Sequence, residues 1–271
     1  MNELKIVTLM EDNLQGSGLA AEHGLSVYIE TKKHKILVDT GKSEKTWENA
    51  KVKGIDISNV DTVFLSHGHY DHSGGLLKFA ELNPSADIYI RDNAGGEYYS
   101  LHNGKARYIG IDKAVLALPN LHMIKESAAI DEELSVFTNV HPTRNLPRGN
   151  KILKELKNNK YVQDTFSHEM YLTIRCSEGK YVLISGCAHN GILNILDAFR
   201  EIYGTDPSVV ISGFHMIQPE YTADDLQEIK NAAEELSKMD TKFYSGHCTG
   251  KVPYNILKEI LGDKLNAISD L

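Results

Sequence analysis

A chain of 271 residues, 41% hydrophobic and 24% charged, is long enough to bury a large core without disulfides or a structural metal, and α/β folds of this length often remain single domains. Its 29 basic and 37 acidic residues give a formal charge of -8, which argues against a duplex-binding surface yet is too small an excess to imply disorder. Cys176, Cys187 and Cys248 form no CxxC pair, and neither a signal-peptide core nor a membrane-length apolar run is seen. A cytoplasmic protein without a membrane partner is therefore expected.

Strand-like segments at residues 5–8, 25–30 and 35–38 open the chain, the last two as a hairpin. Asp39-Thr40-Gly41 stops the third strand, and Ser43 is a candidate cap for a helix over residues 47–53. Residues 60–65 read as a buried strand that ends abruptly at Ser66. Further strands are expected at 88–90, 122–125 and 134–137, then a second hairpin at 171–176 and 181–185 through a Ser177-Glu178-Gly179 turn. Helices at 192–202, 223–239 and 252–261 alternate with strands at 209–212 and 243–245. Leu226, Ile229, Ala233 and Leu236 make a core-facing stripe on the second of these helices. Each half thus begins with a hairpin and passes into strand–helix alternation, which points to one α/β domain. The polar stretch 144–164 fits a lid or insertion, and the lysines at 151, 154, 157 and 160 read as a solvated helix face.

Histidine placement carries the functional signal. Ser66-His67-Gly68-His69-Tyr70-Asp71-His72 sets three imidazoles and a carboxylate directly after an apolar strand. On a strand His67 and His69 point the same way, while Asp71 and His72 fall in the following turn and take another direction. Two ligand pairs then face two adjacent points, an arrangement suited to zinc, with iron or manganese as alternatives.

With its HxHxDH run the chain resembles the metallo-β-lactamase superfamily. Asp39 in Val-Asp-Thr-Gly matches the superfamily's buttressing aspartate. Gly186-Cys187-Ala188-His189 and Gly246-His247-Cys248-Thr249-Gly250 occupy its later strand-end motifs. Together with Glu22-His23-Gly24 and Gly213-Phe214-His215, they resemble a subgroup typified by the dihydropterin-methyl-ribofuranosylaminobenzene-phosphate synthase. The resemblance implies a four-layer αββα sandwich. It also implies one metal on His67, His69 and His189 and a second on Asp71, His72 and His247.

The chain departs from the common pattern at Cys187, which stands where a bridging aspartate is usual, and the upstream ligand position falls near Asp164. Cys187 and Asp164 are therefore reserve ligands. His168 and Glu169 read as a pair that orients a ligand.

Asp71, Asp39 and His215 are the residues through which the chemistry is expected to run, although His215 reads equally well as a packed residue. Glu22, His23 and Thr249 are assigned to substrate binding, Thr249 because it precedes a helix start able to receive phosphate. No GxSxG is present, so water is the expected nucleophile on a small substrate. A di-iron redox enzyme and a metal-binding sensor without hydrolytic activity are the alternative readings, and no nucleic-acid partner is expected.

Overall fold

The computed structural model describes residues 4–176 and 179–271. The first half of the chain contributes strands β1 (Lys5–Met10), β2 (Ser26–Glu30), β3 (Lys35–Val38), β4 (Thr62–Phe64), β5 (Asp87–Arg91), β6 (Tyr98–His102), β7 (Lys105–Tyr108) and β8 (Leu121–Ile124). The second half contributes β9 (Ala128–Ala129), β10 (Leu134–Thr138), β11 (Leu153–Lys157), β12 (Lys160–Gln163), β13 (Met170–Arg175), β14 (Tyr181–Ser185), β15 (Val209–Ser212), β16 (Lys242–Ser245) and β17 (Leu265–Ala267). Helices are α1 (Lys45–Val52), α2 (Tyr70–Ser73), α3 (Leu76–Leu82), α4 (Ile192–Tyr203), α5 (Ala223–Ser237) and α6 (Lys251–Leu261).

One sheet runs β1-β2-β3-β4-β5-β8 and a second runs β17-β16-β15-β14-β13-β10-β9. Each joins an antiparallel portion to a parallel one, as the hairpin-then-alternation pattern predicts. Period-two alternation buries both faces of the strands. On β3, Ile36 and Val38 point into the space between the sheets, while Leu37 points outward against Trp47 of α1 and Phe79 of α3. On β14, Val182 and Ile184 point inward, while Leu183 meets Ile195 and Phe199 of α4 together with residues of α5 and α6. The result is four layers, αββα.

Three local expectations are corrected. Glu44 rather than Ser43 takes the cap position of α1, and the Ser43 hydroxyl is donated to Glu22 at 2.6 Å. The stretch bearing Lys154, Lys157 and Lys160 is a β-hairpin and not a helix face. Its turn is Asn158-Asn159, both in the left-handed region at φ 50° and 60°, and asparagine reaches that region at little cost, so the hairpin closes tightly. Of the stripe on α5, Ile229, Ala233 and Leu236 are buried and Leu226 only partly so. The turn expected at Ser177-Glu178 lies outside the described residues.

The hairpin at 153–163 completes a third sheet, β12-β11-β6-β7. A small apolar cluster of Tyr98, Ile109, Leu153 and Phe166, with Tyr70 packed against it, docks this sheet onto the His67–His72 loop. The backbone also joins them: Tyr70 N–H donates to Ile109 O at 2.9 Å, and His69 forms a bridge with Gly110. Residues 144–164 thus supply half of a cover built against the candidate site.

Candidate metal centre

The C-terminal ends of β1, β3, β4, β14, β15 and β16 emerge at one edge of the sandwich, and the loops leaving them carry nearly every residue of the site. This is where α/β sheets ordinarily place their chemistry. Gly186, at the end of β14, is one condition of the convergence. A side chain there would collide with Ser66 Oγ and lie 3.2 Å from Asp39 Oδ2.

His67, His69 and His189 each offer a ring nitrogen within 4.8 Å of the other two. All three Nε2 atoms are buried and make no hydrogen bond. A buried, unpaired imidazole nitrogen is costly, and three aimed together make sense as donors to a cation. Their protonation states agree. Burial, and then the neighbouring rings, drive His67 and His189 well below the usual histidine range, and burial carries His69 down to about 3. Ser66 Oγ donates to Asp39 Oδ2 at 2.7 Å, so it accepts from His67 Nδ1 at 2.9 Å. Asn150 Oδ1 accepts from His189 Nδ1 at 3.0 Å, and its Nδ2 donates to His189 O at 2.8 Å, which fixes the amide's orientation. In both rings Nδ1 carries the proton and Nε2 keeps its lone pair.

Asp71, His72 and His247 meet beside this triad. Asp71 Oδ2 lies 3.3 Å from His247 Nε2 and 3.7 Å from His72 Nε2, and the two Nε2 atoms are 3.2 Å apart. Here too Nδ1 is committed, His72 to Asp39 at 2.6 Å and His247 to Asp12 at 2.6 Å. Two lone pairs facing one another beside a carboxylate call for a positive charge between them. Burial alone pulls both histidines down, yet Asp39 and Asp71 raise His72, and Asp12 and Asp71 raise His247. Asp71, pushed up by burial, is nevertheless held well below the carboxylate range by His72, His247 and His23. A carboxylate so firmly ionised is suited to ligating and orienting rather than to accepting protons. Cys187 Sγ reaches 3.1 Å from His72 Nε2 and groups with His67 and His72, while burial pushes its thiol up.

The support is dense. Asp39 accepts from Ser66 N, Ser66 Oγ and His72 Nδ1, so its carboxylate is spent on holding the loop. His168 Nδ1 accepts Gly68 N–H at 3.1 Å, which leaves Nε2–H to donate to Asp164 at 3.1 Å. Asp164 also accepts from Phe166 N, so this pair braces the loop from below, and with His69 it forms a further group of potential ligands. Glu169 accepts from His189 N, Asn190 N and Tyr171 OH, and fixes the 187–190 turn.

Of the residues assigned to substrate, His23 lies at the mouth, its ring 4.7 Å from that of His247 and its Nε2 3.3 Å from Asp71. His215 packs 4.1 Å from His189, with its Nδ1 buried and unpaired. Glu22 is engaged by Ser43 and Lys45. Thr249 is not brought to the opening: it is fully buried, accepting from Phe214 N at 3.0 Å and bonded to Ser245 Oγ at 2.7 Å. Asp39, Ala188, His215 and His247 all hold left-handed backbone, strain concentrated at strand ends around the site.

Sequence reasoning missed Glu11, Asp12, Asn150 and Asn190. Glu11 accepts His247 N–H at 2.6 Å, and Asp12 joins His247 to His23. The available signal was the acidic pair directly after the first strand, which parallels β3 and ends at the same edge.

This fold and its grouped histidine and carboxylate donors are those of the metallo-β-lactamase class, and the chain belongs to the metallo-β-lactamase superfamily, whose family model matches residues 20–149. The crystal structure of Tm1679, a metal-dependent hydrolase of the β-lactamase superfamily, is similar at a TM-score of 0.81 and 30% identity, covering 97% of this chain and 95% of that one. The 7,8-dihydropterin-6-methyl-4-(β-D-ribofuranosyl)-aminobenzene-5'-phosphate synthase of Methanocaldococcus jannaschii is 28% identical over 96% of this chain and 92% of its own. YhfI of Bacillus subtilis shares the fold at a TM-score of 0.56 and 12% identity.

Proposed function

We propose that this chain is a zinc-dependent enzyme acting on a small phosphorylated or pterin-related substrate, as a hydrolase or as a synthase akin to the methanogen protein. The observation that carries the reading is the set of buried Nε2 atoms, each with a committed Nδ1 where one is defined, facing a common space beside Asp71. His67, His69 and His189 would hold one ion, and Asp71, His72 and His247 a second. The nearby Cys187 sulfur favours zinc over manganese, since thiolate donors select softer metals.

Zinc in such a site supplies Lewis acidity and lowers the pKa of a bound water towards ~7. The chain's own residues do the positioning. Asp71 brings a fixed negative charge to the point where both triads meet. Asp39, Asp12, Asn150 and Ser66 keep four rings in the donor tautomer. His23 and His215 flank the centre from the mouth and from the 213–216 loop, where substrate atoms would pass.

The test is Asp71→Asn. An amide keeps the size but loses the charge that would hold the second ion, so turnover should fall by roughly 10²–10³-fold while the first triad still retains metal. Metal content by elemental analysis and rate on a panel of phosphorylated and pterin substrates are the measurements. A variant with a near-normal rate would show that the chemistry does not pass through Asp71.

A further inference from the structure

Two cations each lie against the same ring, that of Tyr70. Lys42 Nζ lies over the Tyr70 ring at 5.9 Å from its centroid, and the Arg107 guanidinium lies over the same ring at 5.0 Å. Tyr70 directly precedes Asp71. The cations arrive from different parts of the fold, Lys42 from the loop after β3 and Arg107 from β7, the outer strand of the covering sheet.

Both are tied to the metal loop by backbone. Gly74 lies so close to Lys42 O that any side chain there would collide with it. Arg107 lies two and three residues before Ile109 and Gly110, which join the covering sheet to Tyr70 and His69. Both side chains are exposed, and neither is ion-paired with a carboxylate among the described residues. By contrast Lys113, in the helical turn just after β7, is neutralised by Glu97 at 2.8 Å.

We propose that Lys42 and Arg107 form an anion clamp that seats the phosphate monoester of the substrate beside the metal centre. The inference rests on the reading of the site as an enzyme for phosphorylated small molecules. A chain of formal charge -8 repels a dianion over most of its surface, so unpaired cations at the mouth decide where one can approach. Guanidinium offers a planar fork matched to phosphate oxygens, and the ammonium adds a second point charge. With the phosphate held at Tyr70, the body of the substrate extends towards Asp71 and His23.

The experiment titrates the metal-loaded protein calorimetrically with ribose 5-phosphate, with ribose and with inorganic phosphate. The proteins are wild type, Arg107→Gln, Lys42→Gln, the double variant, and Lys113→Gln as a control from the helical turn that follows β7. Wild type should bind ribose 5-phosphate more tightly than ribose. Each lost clamp cation should weaken that binding about tenfold, and the double variant should bind the two sugars alike, with Lys113→Gln unchanged. These side chains are exposed, so all variants should melt as wild type does. A double variant that keeps wild-type affinity for ribose 5-phosphate would overturn the clamp, including the case in which phosphate sits on the metal alone. So would a wild type that fails to distinguish the two sugars. Failure of the enzyme reading shows separately, as absence of bound metal or of turnover in wild type.

Discussion

Each imidazole with a defined Nδ1 partner is made a donor by what that nitrogen touches, so the supporting residues are as informative as the rings. Asp39 is the clearest case, because one carboxylate orders His72 directly and His67 through Ser66. In Asp39→Asn one acceptor oxygen becomes an NH₂ that faces two other donors, His72 Nδ1–H and the Ser66 hydroxyl. The ring tautomer then shifts, and metal affinity should weaken about 10–100-fold with the fold retained. Competition against a chromophoric chelator measures this, and an unchanged affinity would reduce Asp39 to a turn residue. The HxHxDH donors were legible at this scale because spacing alone points them together. Asp12 was not, because its partner His247 lies 235 positions away.

At the scale of elements, the far end of β3 from Asp39 is tied across the sandwich by His34. Its ring joins Asp61 at 3.0 Å, before β4, to Asp131 at 2.7 Å, before β10. Burial lowers His34, but the hydrogen bonds and charges of Asp131 and Asp61 outweigh it, and the folded-state value is raised. The tie is therefore fully present below the ordinary histidine pKa and is lost as pH rises through the raised folded value. Stability measured by denaturant midpoint should fall across that window, and His34→Gln should flatten the fall. An identical pH profile in the variant would show that the tie contributes nothing. The covering hairpin is the element whose type was misread. The three-residue lysine recurrence suggested a helix, but two asparagines that turn easily, with Leu153 anchored under the sheet, settle it as strands.

For the whole molecule, the centre is the meeting point of both halves of the chain, so metal should act as a staple between the sheets. An ion that binds only the folded state stabilises it by about 4 kcal/mol when free metal is a thousandfold above its dissociation constant. Chelation should then lower the thermal midpoint by on the order of 10 °C in a chain of this size. A scan of metal-loaded and chelator-treated protein decides this, and a midpoint that does not move would remove the metal centre. Among the described residues no helix is long and apolar enough to cross a membrane, and the core clusters lie within the layers of the sandwich and under its cover.

What the sequence determined by itself is what depends on neighbours in the chain: the apolar runs that become strands, the helix stripes, and the HxHxDH spacing that brings donors together whatever surrounds them. Hairpins passing into strand–helix alternation in each half, together with the strand-end motifs, made the αββα sandwich legible through family resemblance. Tertiary structure alone decided which nitrogen of His72, His189 and His247 is free, because the Nδ1 partners Asp39, Asn150 and Asp12 come from other loops. It also decided that Thr249 is buried against Phe214 and Ser245, and that Lys42 and Arg107 each reach the Tyr70 ring. Hydrogen bonds and ion pairs act over a few ångströms of space, and nothing in local spacing encodes which distant segments the sheet edge will bring within that reach.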